Sequence, residues 1–178
     1  NDAYLFVRRY SQLSDGQRQR AALARSIITQ PEFVVADEPV SMIDVSLRTT
    51  LIDLMLNLRK ELGLTYVFIT HDLAVAKHIS DRIAIMYLGK VIELGGKVEI
   101  FSNPLHPYTQ ALLSAIPVPD PQRKRRPTEL KGEVPSAINI PPGCRFHPRC
   151  PKAFGKCPLE VPVPRDVGKG HQVACHLY

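Results

Sequence analysis

Two acidic residues, Asp37 and Glu38, follow the short apolar run Phe33-Val34-Val35-Ala36. A continuous apolar run of this length is typical of a strand buried on both faces of a parallel sheet. Adjacent side chains on a strand point to opposite faces, but a turn of the backbone at the strand end can bring both carboxylates to one site. Two buried carboxylates suit a bound cation or phosphate chemistry, and an acidic strand-to-loop junction is the structural alternative.

Four cysteines near the end of the chain form a second chemical group, and none precedes them: Cys144, Cys150, Cys157 and Cys175. Four thiolates suit a [4Fe–4S] cluster or a Zn²⁺ ion, although the x₅, x₆ and x₁₇ spacing departs from the CxxC knuckles of common zinc sites. A disulfide or an unliganded tail is the further alternative. Nearby histidines are alternative ligands or surface residues, and nearby basic residues would offset cluster charge: His147, His171, His176, Arg145, Arg149, Lys152 and Lys156.

The elements that must position these residues follow a regular order. Apolar patterning predicts helices within residues 11–30, 46–62 and 73–79, a strand at residues 65–70, and a hairpin from Arg82 to Leu94. Two apolar strands separated by a helix indicate a βαβ unit and an α/β fold. Ligands of such sheets bind beyond the carboxyl ends of the strands, which is where Asp37, Glu38 and His71 are expected.

Composition divides the chain near residue 100. The 178 residues carry a net charge of +6, and 14 of the 16 prolines and the whole basic excess follow residue 100. We therefore expect a patterned domain at residues 1–100 and a proline-rich extension at residues 101–178, with one helix at residues 106–116 and a basic linker at residues 123–126. His106 is expected to cap that helix. Neither a membrane span nor a signal peptide is predicted.

Four motifs in order resemble the second half of an ABC transporter nucleotide-binding domain. Leu13-Ser14-Asp15-Gly16-Gln17 resembles the signature motif, Asp37-Glu38-Pro39 the Walker B motif, Ser41-Met42-Ile43-Asp44 the D-loop, and Ile69-Thr70-His71-Asp72 the switch histidine. Three later stretches resemble the ATP-binding subunits of oligopeptide and dipeptide importers, in particular the second of their two paired ATPases: residues 80–90, 103–109 and 114–121.

The resemblance implies a role for each motif. Asp37 would hold Mg²⁺ through water, Glu38 would act as general base toward the attacking water, and His71 would contact the γ-phosphate. Asp44 would couple the two ATPase halves. The signature residues would address the ATP held by the partner subunit from a helix N-terminus: Ser14, Asp15, Gly16 and Gln17. For the cysteines the resemblance implies a [4Fe–4S] cluster.

Two features depart from the family pattern. No G-x-x-x-x-G-K-[ST] stretch occurs in the chain, so the sequence looks like the C-terminal half of an ABC-type P-loop NTPase domain with a small irregular cysteine-containing extension. Alone, such a chain is not expected to bind ATP in its own site. Asp15 stands where the family usually has glycine, which places a negative charge near the partner's γ-phosphate.

The resemblance thus implies an ATP-hydrolysing subunit that powers import of oligopeptides or dipeptides. Its expected partners are a second ATP-binding subunit in a heterodimer, two transmembrane permease subunits and an extracellular peptide-binding protein, with no nucleic acid. Its expected location is peripheral, at the cytoplasmic face of the membrane. The alternative is a non-catalytic metal-bearing module that binds nucleic acid or a partner protein, which the missing P-loop and basic tail favour and the retained Glu38 and His71 argue against. A third possibility is a decayed or artificially truncated product with no activity.

Overall fold

The computed structural model describes residues 10–41, 43–116 and 130–178. The chain forms two compact units, residues 1–79 and residues 80–178. The hairpin that follows residue 80 therefore groups with the C-terminal extension, whereas composition placed the division near residue 100. The predicted basic linker at residues 123–126 lies outside the described residues.

The first unit is an α/β unit. After a 3-10 turn at Tyr10–Gln12 it contains α1 (Asp15–Ile27), β1 (Phe33–Asp37), α2 (Val45–Leu62), β2 (Thr65–Ile69) and α3 (Leu73–Ile79). Strands β1 and β2 pair in parallel, with Phe33 opposite Thr65 and Asp37 opposite Ile69. The βαβ unit predicted from the sequence is confirmed, and its two strands end side by side at Asp37 and Ile69.

Local sequence explains where α2 ends and what it packs against. Gly63 adopts φ 68° after the last turn and donates its backbone N–H to the carbonyl of Arg59, a conformation that glycine tolerates without a Cβ clash. The buried core of this unit joins α2 and α3 to the loops after β1: Val40, Ile43, Leu51, Ile52, Met55, Val75 and Ile79.

One face of the β1–β2 pair is exposed within the described residues. The side chains of Phe33, Val35, Val67 and Ile69 are 44 to 57% exposed, whereas Ala36, Tyr66 and Phe68 on the other face pack against the core. The prediction that these strands are buried on both faces is therefore not met here, because the described elements cover only one face of the pair.

The second unit is built on a four-stranded antiparallel sheet in the order β3 (Arg82–Tyr87), β4 (Lys90–Gly96), β6 (Gln172–Val173) and β5 (Arg165–Asp166). Helices α4 (Lys97–Ser102) and α5 (Pro107–Ser114) follow β4. The predicted hairpin turns at Leu88 and Gly89, whose φ angles of 44° and 76° are those of a two-residue type I′ turn. In the parts of the chain that the structure describes, no helix is long and apolar enough to cross a membrane.

Candidate functional site

Glu38 and His71 meet at the ends of the two parallel strands. Oε1 of Glu38 lies 2.8 Å from Nδ1 of His71. Glu38 has φ 47°, a left-handed conformation that is uncommon for residues other than glycine, and this turns its side chain out of the strand direction. The Glu38 backbone is held there by its N–H donating to the carbonyl of Ile69 and by its carbonyl accepting from Ser41. Sequence reasoning anticipated a backbone turn at this point.

The two neighbouring carboxylates are not buried as a pair. Asp37 is exposed at the end of β1, and the Glu38 side chain is 36% exposed beside a His71 side chain that is 78% exposed. The acidic end of β1 therefore faces open space, in which a hydrated cation or a phosphate has room. Asp44, at the start of α2, is also exposed.

Residues 14–17, the segment that resembles the signature motif, open α1. Gln17 donates its backbone N–H to Oγ of Ser14 over 3.4 Å, and Ser14 donates its own N–H to Oε1 of Gln17 over 3.0 Å. This reciprocal pair is a capping box, which fixes the first turn and leaves other backbone N–H groups at the helix end pointing outward. Asp15 is the first residue of α1, and its side chain lies outside the described atoms.

The signature segment packs close to the helix that follows the D-loop, which we define as residues 41–44. A Cβ built on Gly16 would lie 3.7 Å from Cδ1 of Leu47 on α2. An apolar hollow of about 170 Å³ lies between these helices, lined in part by Gly16, Ile43 and Leu47. Its walls are mostly apolar, with Arg20 and Thr50 as the exceptions. The chemistry is therefore assigned to the strand ends, where Glu38 and His71 are in contact, and not to this hollow. Met42 of the D-loop lies outside the described residues.

The four cysteines come together in the second unit, and all are free. Cys144 and Cys157 are buried, Cys150 and Cys175 are half-buried, and the backbone N–H of Cys144 donates to the carbonyl of Cys157 over 2.8 Å. Burial raises the pKa of Cys175, and the other three thiols raise it further. Burial also raises the pKa of Cys144, with a further rise from Cys157 and Cys150, and that of Cys150, with a further rise from Cys157. All four sulfur atoms therefore lie within electrostatic reach of one another.

Backbone N–H groups point at three of the sulfur atoms. Burial raises the pKa of Cys144, Cys150 and Cys175, and hydrogen bonds from backbone N–H groups two residues later oppose this shift by favouring the thiolate. The donors are Phe146, Lys152 and Leu177 respectively. N–H donors aimed at sulfur are the surroundings that thiolate ligands of a metal centre need.

No group of three or more His, Cys, Asp or Glu side chains among the described residues is set to hold a single metal ion. A four-iron cluster spaces its thiolates more widely than one ion does, because each sulfur binds a different iron. The three histidines of the tail make other contacts. His147 lies 2.9 Å from the carbonyl of Cys144, His176 lies 2.9 Å from that of Glu160, and His171 contacts Glu93.

Glu93 is a buried hub that sequence reasoning missed. Its Oε1 accepts from the N–H of Leu105 at 2.8 Å and its Oε2 accepts from that of His106 at 2.9 Å. His106 caps α5 as predicted, since its Nδ1 accepts from the N–H of Tyr108 over 3.1 Å. Phe146, which follows the first cysteine, packs against the rings of Tyr87, His106 and Tyr108. The hub and this ring cluster join the cysteine segment to the hairpin.

Fold and sequence both resemble the ATPase domain of ABC transporters. Residues 2–41 match the family model described as ABC transporter. Among solved structures, the ADP conformation of MJ1267, an ATP-binding cassette of an ABC transporter, aligns with a TM-score of 0.51 at 26% identity. The alignment covers 57% of this chain and 41% of that one. The α/β fold expected from the motifs is confirmed as part of such a domain.

The second half of the chain matches a narrower group within this class of proteins. Residues 92–157 match the family model described as Oligopeptide/dipeptide transporter, C-terminal region. The chain is 52% identical to the oligopeptide transport ATP-binding protein AppF of Bacillus subtilis over 97% of its own length and 54% of that protein. It is 53% identical to the dipeptide transport ATP-binding protein DppF of Escherichia coli over 91% of its length and 48% of that protein. The chain is therefore related to the ATP-binding proteins of peptide ABC transporters and spans about half the length of these curated relatives.

Proposed function

We propose that this chain is the part of a peptide-transport ATPase that carries the signature segment, the catalytic glutamate and the switch histidine. The observation that carries the proposal is the 2.8 Å contact between Glu38 and His71 at the ends of two parallel strands. A carboxylate and an imidazole held together beside an exposed aspartate form a group suited to phosphoryl transfer to water. The sequence left open a non-catalytic module as the alternative. Nothing in the described residues favours that module over the ATPase part proposed here.

In the proposed reaction Glu38 accepts a proton from the water that attacks the γ-phosphate. His71 contacts the same phosphate and holds the Glu38 carboxylate through Nδ1. Asp37, exposed at the end of β1, would hold Mg²⁺ through water, and the metal when bound offsets phosphate charge. No phosphate-cradling P-loop sequence occurs in these 178 residues, so this half of the site acts together with a P-loop segment.

In this proposal the signature segment contacts a second nucleotide, which a partner subunit holds. Ser14, Gly16 and Gln17 lie at the N-terminus of α1, where backbone N–H groups and the helix dipole favour an anion. We propose that they face the ATP of a second ATP-binding subunit, with Asp44 linking the two halves. The pair would drive two transmembrane permease subunits from the cytoplasmic face of the membrane, and an extracellular binding protein would deliver the peptide.

We also propose that Cys144, Cys150, Cys157 and Cys175 hold one [4Fe–4S] cluster. The donor set fits, because four free cysteines lie within electrostatic reach of one another and backbone N–H groups point at three of the sulfurs. The cluster would supply a cross-link between loops, as structural metals do in segments with little apolar core. Lys131 and Lys152 lower the pKa of Cys150 against the raising effect of burial and so favour its thiolate.

ATP turnover by the complete ATP-binding subunit tests the proposal. The subunit that contains this chain, assembled with its partners in vesicles, is compared with its Glu38→Gln and Glu61→Gln variants. A general base contributes roughly 10²- to 10⁴-fold to rate, so Glu38→Gln should lower turnover by that order while ATP binding persists. Glu61 is an exposed helical residue, and its variant should behave as wild type.

The same assay on this 178-residue chain alone is expected to give no magnesium-dependent turnover, because the P-loop supplies most phosphate contacts. Turnover by the isolated chain that Glu38→Gln abolishes would overturn the need for a P-loop segment. Equal loss of binding and hydrolysis in Glu38→Gln would overturn the role given to Glu38.

A further inference from the structure

Arg48 links the D-loop to the loop that carries the switch histidine, which we call the switch loop and define as residues 70–72. Its Nη1 donates to Oδ2 of Asp72 over 3.0 Å, and its Nη2 lies 3.5 Å from the carbonyl oxygen of Ile43. The backbone N–H of Arg48 donates to the carbonyl of Asp44 over 2.9 Å. That backbone bond belongs to the first turn of α2, whereas the Arg48 side chain itself contacts the D-loop at the Ile43 carbonyl and the switch loop at the Asp72 carboxylate.

Asp72 also makes hydrogen bonds to residues on both sides of His71 in the chain. Its N–H donates to Oγ1 of Thr70 over 3.0 Å, which closes a turn across His71. Its Oδ1 accepts from the N–H groups of Ala74 and Val75, at 2.8 and 3.3 Å, and so caps the first turn of α3. The carboxylate that Arg48 holds thus sets the position of the residues on both sides of the switch histidine.

The Arg48–Asp72 pair is partly buried, and the core of the first unit supports it. The two side chains are 27 and 32% exposed, so the pair is only partly screened by water. The Ile43 carbonyl belongs to a buried residue of the core, which gives the guanidinium a fixed support. Arginine suits this role, because its planar fork can donate to two acceptors at once and lysine cannot match that geometry.

We propose that Arg48 is a positioning residue for ATP hydrolysis, which holds the D-loop and the switch loop in register so that His71 and Glu38 act together. The inference rests on the function proposed above and deepens it. A shift of Asp44 toward or away from the partner's nucleotide would then move the switch loop through Arg48 and Asp72. The signal from one ATP site to the other would pass through these two side chains.

The test measures turnover and its dependence on MgATP in the complete assembled subunit, for Arg48→Met, Asp72→Asn, the double variant and Arg48→Lys. We expect kcat to fall roughly 2- to 30-fold in each single variant, a range typical of residues that couple two sites energetically. The KM for MgATP should stay within about twofold of wild type. The double variant should lose no more than the worse single variant, because the two residues act as one unit. Arg48→Lys should recover part of the loss.

A second pair, which joins α2 to α3, is the matched control. Nε2 of His78 on α3 lies 3.6 Å from Oδ1 of Asp53 on α2, and both side chains are more than half exposed. Asp53→Asn should leave kcat unchanged. Urea unfolding of every variant gives the folded fraction, so that turnover is compared per folded molecule.

The outcomes separate this inference from the proposed function. Unchanged kcat per folded molecule in Arg48→Met, or fully additive losses in the double variant, would overturn the positioning role. If wild type shows no turnover that depends on Glu38, the proposed function itself fails, whatever the Arg48 variants do. A rise in KM alone would make Arg48 a nucleotide-binding residue and would also overturn the proposal.

Discussion

Nε2 of His171 lies 2.8 Å from Oε1 of Glu93, with the two side chains 4 and 0% exposed. The two residues stand 78 positions apart in the chain. Their contact fastens the strand β6, which follows the third cysteine, to the strand β4 of the hairpin, where Leu94 also pairs with Gln172. A Cβ on Gly95 would lie 2.9 Å from Cδ2 of His171, so the glycine beside this strand position leaves room for the ring.

Glu93→Gln should destabilise the second unit. The carboxylate accepts from two backbone N–H groups and contacts His171, and an amide has one acceptor oxygen in place of two. One buried donor is then left without a partner, which costs about 1–3 kcal/mol. Urea unfolding followed by circular dichroism measures the loss. Glu133→Gln, at an exposed position, is the control and should change the free energy of unfolding by less than about 0.5 kcal/mol.

His71→Ala in the complete assembled subunit should slow turnover and leave ATP binding nearly intact. The imidazole contacts Glu38 through Nδ1 over 2.8 Å, and its removal leaves the proposed general base without this support. Single-turnover hydrolysis and equilibrium binding of a fluorescent ATP analogue measure the two effects separately. His78→Ala, on the next helix and exposed, serves as control. Turnover of His71→Ala at the wild-type rate would refute the assigned role.

Asp15→Gly should raise the activity of the partner's nucleotide site or leave it unchanged. Asp15 is the first residue of α1 beside the capping pair Ser14 and Gln17, so a carboxylate there adds negative charge where an anion is expected to bind. The measurement is ATP turnover of the assembled pair in which only the partner's site is competent. A large fall in activity would mean that the helix depends on Asp15 at its first position.

Much of the fold of the first unit could be predicted from local sequence patterns. The capping chemistry at Ser14, the left-handed stop at Gly63 and the apolar runs of β1 and β2 each lie within a few residues, so the helices, strands and parallel pairing of the first unit were predictable. The strands β5 and β6 and the helix α4 of the second unit were not predicted. The approach of Glu38 to His71 followed from the rule that parallel strands end at one edge. The exposed face of β1 was not predictable, because a continuous apolar run does not show which faces of a strand other elements cover.

The contacts that sequence reasoning missed all join residues distant in the chain. Arg48 and Asp72 are separated by 24 positions and Glu93 and His171 by 78, and no local period relates either pair. A charged residue within a short apolar run, such as Glu93 between Ile92 and Leu94, was the available signal. Such a residue is buried only with partners, but its partners become evident only in the folded chain.

The four cysteines should each be needed for one cluster. Anaerobic purification should give about four irons and four sulfides per chain, with broad visible absorbance that oxidation removes. Cys157→Ser, at a buried position, should lower iron and sulfide together and lower the stability of the second unit. Ser114→Ala, on α5, is the matched control and should keep the iron. One zinc without sulfide would replace the cluster with a zinc site, and neither metal would refute both.

The stability of the second unit should fall as the pH drops from about 6.5 to about 4. Burial lowers the pKa of His106 to about 4, against the raising effect of Glu93, and the side chain is 1% exposed. In the unfolded chain a histidine titrates near 6.5, so between these two pH values the unfolded state binds more protons than the folded one. The stabilisation is fully present above about pH 6.5, and a shift of this size corresponds to a loss of roughly 3 kcal/mol once the pH has fallen below about 4.

His106→Asn separates this effect from other titrating groups. Asparagine is a good N-cap residue and does not titrate, so the variant keeps a cap on α5 and loses the protonation that folding opposes. The free energy of unfolding in urea, measured at half-unit steps from pH 4 to pH 7.5, should rise less steeply with pH in the variant than in wild type. His78→Asn, which removes an exposed histidine, should keep the wild-type slope. Equal slopes in wild type and His106→Asn would show that His106 carries none of the pH dependence.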